Sequence, residues 1–88
     1  MINSLKKIRE IRNKLRSGRI SVGTWMQIPS PDIAEILSQS GFDWITLDLE
    51  HGNFSSAEIV NIIRAIELGD AAPFVRLPNS DLTNIKKF

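Results

Sequence analysis

Phe42-Asp43-Trp44-Ile45-Thr46-Leu47-Asp48-Leu49-Glu50-His51-Gly52 is the stretch that decides the fold. Trp44, Ile45, Leu47 and Leu49 make a nearly continuous β-prone run, the pattern of a strand buried on both faces. Asp48, Glu50, His51 and Gly52 then crowd its carboxyl end. In parallel α/β folds that end is where ligands bind. His51 is the single histidine of the chain. Gly52 after it permits a turn and a close backbone approach.

The segments on either side alternate between helix and strand signals. Residues 2–17 carry Ile2, Leu5, Ile8, Ile11 (or Arg12) and Leu15 at three- and four-residue steps, which predicts an amphipathic helix. Lys6, Lys7, Arg9, Arg12, Lys14 and Arg16 fill its other faces and read as a solvated surface, since no aromatics interleave with them. Gly18 suits the left-handed residue that ends such a helix. Over residues 20–27, Ile20, Val22, Thr24 and Met26 alternate with Ser21, Gly23, Trp25 and Gln27, predicting a first strand. Ser30 then caps a helix over 31–40 with Pro31 at its first position. Ile33, Ala34, Ile36 and Leu37 are its expected inner face, and Gly41 closes it. The quoted strand, 43–49, comes next.

Beyond it, Ser55 with Glu58 reads as a capping box. It opens a helix over 56–68 with Ile59, Ile62, Ile63 and Ile66 facing inward, ended by Gly69. Residues 73–77 make a third strand, broken by Pro78 and Asn79. A last helix is expected from Ser80 or Asp81, with Leu82, Ile85 and Phe88 in step.

Right-handed crossovers lay three such strands parallel, with helices over them. No glycine-rich phosphate loop follows the first strand, which argues against a dinucleotide-binding unit. The fold class is therefore α/β: an N-terminal helix and about three βα units of a (β/α)8 TIM barrel. Such a barrel takes ~250 residues, so the expectation is an incomplete one. Residues 1–88 then form one partial barrel domain, with helix 2–17 and βα units at about 20–40, 43–68 and 73–88.

Composition narrows the function. The chain has 88 residues, 42% hydrophobic and 24% charged, with a net charge of +1. That balance gives no electrostatic basis for capturing nucleic acid or a membrane surface. The absence of cysteine excludes disulfide scaffolds, thiolate zinc sites and thiol catalysis. It also fits a cytoplasmic setting. No apolar run approaches the ~20 residues that span a bilayer, and the basic N-terminal segment lacks the apolar core of a signal peptide.

With the strands parallel, their carboxyl ends present Trp25 and Gln27, then Asp48, Glu50 and His51, then Arg76. This is the start of a pocket for a small anion. Arg76 offers a planar fork that pairs with a carboxylate; in a short strand it equally suits an ion pair with a neighbouring acid. His51 has the side chain best suited to moving protons near neutral pH. Asp48 and Glu50 are placed to orient His51 or Arg76, or to help hold a cation through water. A carboxylate on a buried strand needs partners, and such positions are often functional. Trp25 is a candidate wall of the site, although both it and Trp44 are most simply read as core residues.

Val22-Gly23-Thr24-Trp25, Ala34-Glu35-Ile36-Leu37 leading to Gly41-Phe42-Asp43-Trp44, Leu47-Asp48-Leu49-Glu50-His51-Gly52, and Phe74-Val75-Arg76-Leu77 with Asn79 together resemble the HpcH/HpaI aldolases. These are class II, metal-dependent pyruvate aldolases related to the citrate lyase β-chain. The match is collinear from about Gly18 onward. The resemblance implies a (β/α)8 barrel, often a hexamer. It implies cleavage of a 4-hydroxy-2-oxo acid, of 2,4-dihydroxyhept-2-enedioate or 2-dehydro-3-deoxyglucarate type, to pyruvate and an aldehyde. A divalent metal (Mg²⁺, Mn²⁺ or Co²⁺) then stabilises the enolate.

By the same resemblance His51 is the general base and Arg76 binds the pyruvyl carboxylate. Trp25 lines the pocket, and Asp48 and Glu50 support from behind. The family's metal ligands, a glutamate and an aspartate, lie on later strands, as does a further acid that partners the histidine. No motif in residues 1–88 matches the metal pair, so no metal ligand is expected here and little activity is expected of these residues alone. Two alternatives stand beside the aldolase. One is a related lyase acting on an acyl-CoA thioester, against which the Glu50-His51 pair weighs. The other is an inactive fragment that only binds a small carboxylate or associates with a partner chain.

Overall fold

The computed structural model describes residues 2–78, with side chains from Leu5 onward. The elements run α1 (Ile2–Arg16), β1 (Gly23–Met26), α2 (Pro31–Ser38), β2 (Trp44–Asp48), α3 (Ser56–Glu67) and β3 (Ala72–Arg76). The helix expected after Ser80 lies outside the described residues. The three strands form one parallel sheet in the order β1-β2-β3. This is the arrangement with which a (β/α)8 barrel begins.

Pairing register sorts the side chains. Thr24, Ile45 and Pro73 stand opposite one another, as do Met26, Leu47 and Val75. These rows face α2 and α3, and the core forms there from Met26, Ala34, Ile45, Leu47, Ile59, Ile62, Ala65, Ile66 and Ala71. Side chains alternate along a strand. The rows Gly23–Trp44–Ala72 and Trp25–Thr46–Phe74, and the pair Asp48–Arg76, therefore share the opposite face. Gly23 is required there: a Cβ would stand 1.8 Å from the Trp44 ring.

Local signals place the helix starts. The Ser30 hydroxyl accepts the Ile33 N–H at 3.3 Å, with Pro31 opening α2. The capping box of α3 is complete: Ser55 N donates to Glu58 Oε1 at 2.8 Å and Glu58 N to Ser55 Oγ at 3.1 Å. Gly18, after α1, has φ +77°.

Three expectations change. The first strand is shorter than its alternation over 20–27 suggests, and Ile20 is 80% exposed. Pairing begins only at Gly23 opposite Trp44, so the residues before it have no strand beside them. On α2, Ile33 and Ile36 are exposed, while Ala34 and Ser38 are buried. The two small residues, four apart, let the chain come close: Ser38 O accepts the Asp70 N–H at 3.0 Å, and Gly69 has no room for a Cβ beside Ser38. On α1 the buried face is not the leucine stripe, since Leu5 and Leu15 are exposed. Ile11 is buried between Lys7 and Lys14, whose ammonium groups converge on Asp43 Oδ1 at 3.4 and 2.7 Å. Those two lysines are thus tied down rather than part of a solvated face.

Candidate active site

The site begins where β2 ends. Asp48 is the last residue of β2 and its carboxylate is buried, at 2% exposure. The chain then turns back over that carboxylate. Oδ1 accepts the backbone N–H groups of Glu50 (3.1 Å) and His51 (3.3 Å). Oδ2 faces His51 Nδ1 at 2.9 Å and accepts from Gln27 Nε2 at 3.3 Å. A carboxylate has about four lone-pair sites, so every one is engaged. Burial alone would raise the pKa of Asp48 by disfavouring its charged form. The hydrogen bonds from the His51 ring, the His51 N–H, Gln27 and the Glu50 N–H together outweigh it and hold the carboxyl below its ordinary range.

Gly52 makes the turn possible. Its N–H donates to Asp48 O at 2.8 Å. A Cβ at this position would lie 2.7 Å from Asp48 O and 2.9 Å from Gln27 O. The ends of β1 and β2 and the 50–52 turn thus pack backbone against backbone.

From β3, Arg76 extends over the same face. Its Nη2 meets Glu50 Oε2 at 2.6 Å. Its guanidinium carbon stands 5.5 Å from the Trp25 ring centroid, a cation–π arrangement. Trp25 is half exposed rather than a core residue. It meets Trp44 edge to face, with centroids 6.4 Å apart and planes at 86°. His51 is 57% exposed, so its second ring nitrogen is within reach of a ligand. The structure therefore brings Trp25, Asp48, Glu50, His51 and Arg76 together at one end of the sheet, with Gln27 added.

Comparison with known proteins follows the same lines. The family profile described as HpcH/HpaI aldolase/citrate lyase matches residues 21–88. The chain belongs to this family. It is 36% identical over 81 residues to the 4-hydroxy-2-oxovalerate aldolase of Novosphingobium aromaticivorans, an alignment covering 91% of this chain and 31% of that enzyme. Among solved structures, an HpcH/HpaI aldolase/citrate lyase family protein from Burkholderia cenocepacia J2315 superposes with a TM-score of 0.75 at 28% identity, covering 89% of this chain and 32% of that one. The citrate synthase SbnG superposes at 0.72 and 30% identity, covering 85% and 31%. The chain thus spans about a third of the length of these relatives. No helix among the described residues is long and apolar enough to cross a membrane.

Family membership raises the question of a metal. Asp48, Glu50 and His51 bring ligand-type atoms within 4.8 Å of one another. They do not fit as a ready metal centre. Both Asp48 oxygens are committed to hydrogen bonds, Glu50 Oε2 is held by Arg76, and His51 Nδ1 faces Asp48. A cation binding there directly would have to break these contacts.

Two residues had no role in the sequence reading. Gln27 was one more residue at a strand end, and nothing in the sequence paired it with Asp48. Asp43 was simply the first residue of the strand. Its signal was available: an acid opening an apolar strand needs a partner, and Lys7 and Lys14 lie two turns apart on one helical face.

Proposed function

We propose that this chain supplies the base and the carboxylate clamp of a pyruvate aldolase acting on a 4-hydroxy-2-oxo acid. The substrate class includes 2,4-dihydroxyhept-2-enedioate and 2-dehydro-3-deoxyglucarate. The single observation that carries the reading is the buried Asp48 carboxylate facing His51 Nδ1 at 2.9 Å. An ionised carboxylate is an acceptor only, so it selects the tautomer with the proton on Nδ1. The lone pair is then on the exposed Nε2.

In the proposed reaction His51 Nε2 takes the proton of the 4-hydroxyl. The oxygen's electron pair becomes the aldehyde C=O as the C3–C4 bond breaks. The bond's electrons pass to C3 and delocalise as the enolate of pyruvate, and protonation at C3 completes the product. Arg76 pairs with the substrate carboxylate and faces the enolate oxygen. To do so it exchanges its contact with Glu50, and its stacking on Trp25 keeps the guanidinium in place meanwhile. A divalent ion of the kind the family resemblance implies would supply Lewis-acid stabilisation of the developing charge. The proposal places its carboxylate ligands outside the described residues. Hexameric assembly and a cytoplasmic setting belong to the same proposal.

A second reading is a chain that binds a small carboxylate without turning it over. The commitment of every Asp48 lone pair, and of Glu50 to Arg76, favours it for residues 1–88 taken alone. One experiment separates the two. Pyruvate release from a 4-hydroxy-2-oxo acid is followed in the intact protein and in its variants. The aldolase reading expects His51→Ala to lower kcat by about 10²–10⁴ with pyruvate binding retained, and Arg76→Ala to weaken both. Wild-type turnover in His51→Ala removes the base assignment. Pyruvate binding with no turnover in the unsubstituted protein leaves the carboxylate-binding reading.

A further inference from the structure

We infer that Gln27 is a positioning residue for His51, acting through Asp48. The inference rests on the reading of His51 as the base. Gln27 Nε2 donates to the same Asp48 oxygen that faces the imidazole. The other oxygen is held by two backbone N–H groups of the turn. With two backbone donors on Oδ1 and the Gln27 amide on Oδ2, three of the four acceptor sites are filled, which opposes rotation of the carboxylate and leaves one direction, toward His51 Nδ1.

An independent observation supports the placement. Gly52 leaves just enough space for the Gln27 carbonyl, which would be 2.9 Å from a Cβ there. The residue directly after β1 is thus built against the histidine turn, and the amide of Gln27 is delivered from the first position beyond a paired strand. The chemistry of the residue matters as well. A lysine at this position would bring a second cation to Asp48 and compete with an imidazolium for the carboxylate. A glutamate would offer no N–H and would add a negative charge. Glutamine donates without charge, so it steers the carboxylate while leaving most of the negative charge to the histidine.

Around the Asp48–His51 pair stand Glu50 in the same turn, Arg76 on β3, which pairs with Glu50, and Gln27 after β1, which donates to Asp48. Of these Gln27 is the one whose removal alters the hydrogen bonding of Asp48 without touching a charge.

The test compares Gln27→Leu and Gln27→Glu with the unsubstituted, intact protein. Two readouts are taken: the His51 Nδ1–H proton resonance, assigned by its loss in His51→Gln, and the pH profile of kcat/KM. Without the Gln27 donor, Asp48 Oδ2 keeps the His51 ring as its one partner, while Oδ1 stays on the backbone N–H groups of the turn. The Nδ1–H resonance then moves downfield, and the acid limb of the profile moves up by about 0.3–1 pH unit, further in Gln27→Glu than in Gln27→Leu. The kcat falls about threefold to tenfold with KM little changed, because Gln27 does not touch Arg76. Gln27 is exposed, so both variants are expected to fold. An unchanged Nδ1–H resonance in both overturns the inference. A shifted resonance in a protein that turns over no 4-hydroxy-2-oxo acid upholds Gln27 and refutes the aldolase reading instead.

Discussion

Replacing Asp43 with asparagine isolates the ion pair that fastens α1 to the sheet. Asp43 is 5% exposed at the amino end of β2. Its Oδ1 accepts from Lys14 Nζ at 2.7 Å, with Lys7 Nζ at 3.4 Å, and its Oδ2 accepts the Val22 N–H at 3.0 Å. Lys14 is the main cause of a carboxyl pKa lowered from 3.8 to about 2; burial opposes it, and Val22 and Lys7 assist. That shift corresponds to about 2 kcal/mol of stability at neutral pH. The lysine side chains are 19% and 32% exposed, so screening brings the expected loss in Asp43→Asn to about 1–2 kcal/mol.

The assay is urea unfolding at two pH values. Because the folded pKa lies below the unfolded one, the contribution is full above pH 3.8 and is lost as pH falls through about 2. The gap between the two proteins is therefore largest at pH 7 and closes on acidification. Added salt narrows it at pH 7. Equal stability at pH 7, or a gap that survives undiminished below the folded pKa, refutes the reasoning.

Two further substitutions test the packing that positions the site. Gly23→Ala places a methyl group against the Trp44 ring and is expected to cost about 1–3 kcal/mol. Near-ultraviolet circular dichroism should change with it, since Trp25 and Trp44 are in edge contact; an unchanged spectrum and stability would contradict the close approach. Ser55→Ala removes the hydroxyl that accepts from Glu58 N. It should lower stability by about 0.5–2 kcal/mol without altering catalytic constants, and a kinetic effect of similar size would point to a role beyond capping.

The strand–helix order was legible because each element carries its own period and its own stop. The quoted stretch announced both a buried strand and a polar end, and Asp48 stood out because an acid between leucines needs partners. The structure provides four donors for it. The ion pair of Arg76 with a neighbouring acid was one of the readings open to it, and Glu50 is that acid. The faces of α1 and α2 were less legible. A stripe of leucine or isoleucine shows that a helix has an apolar side, but its depth depends on what lies opposite. Close approach of Ser38 to the 69–70 turn selected the small residues of α2, and Asp43 drew two lysines of α1 inward.

Sequence by itself determined the alternation of helices and strands, the caps at Ser30 and Ser55, and the gathering of Asp48, Glu50 and His51 at one strand end. These follow from interactions between residues near in the chain, whose chemistry is written at a fixed spacing. Tertiary structure alone decided that Gln27 reaches Asp48, that Arg76 lies between Glu50 and Trp25, and that Asp43 takes Lys7 and Lys14. These contacts join residues more than twenty positions apart. They depend on the register of parallel strands, which no local period encodes.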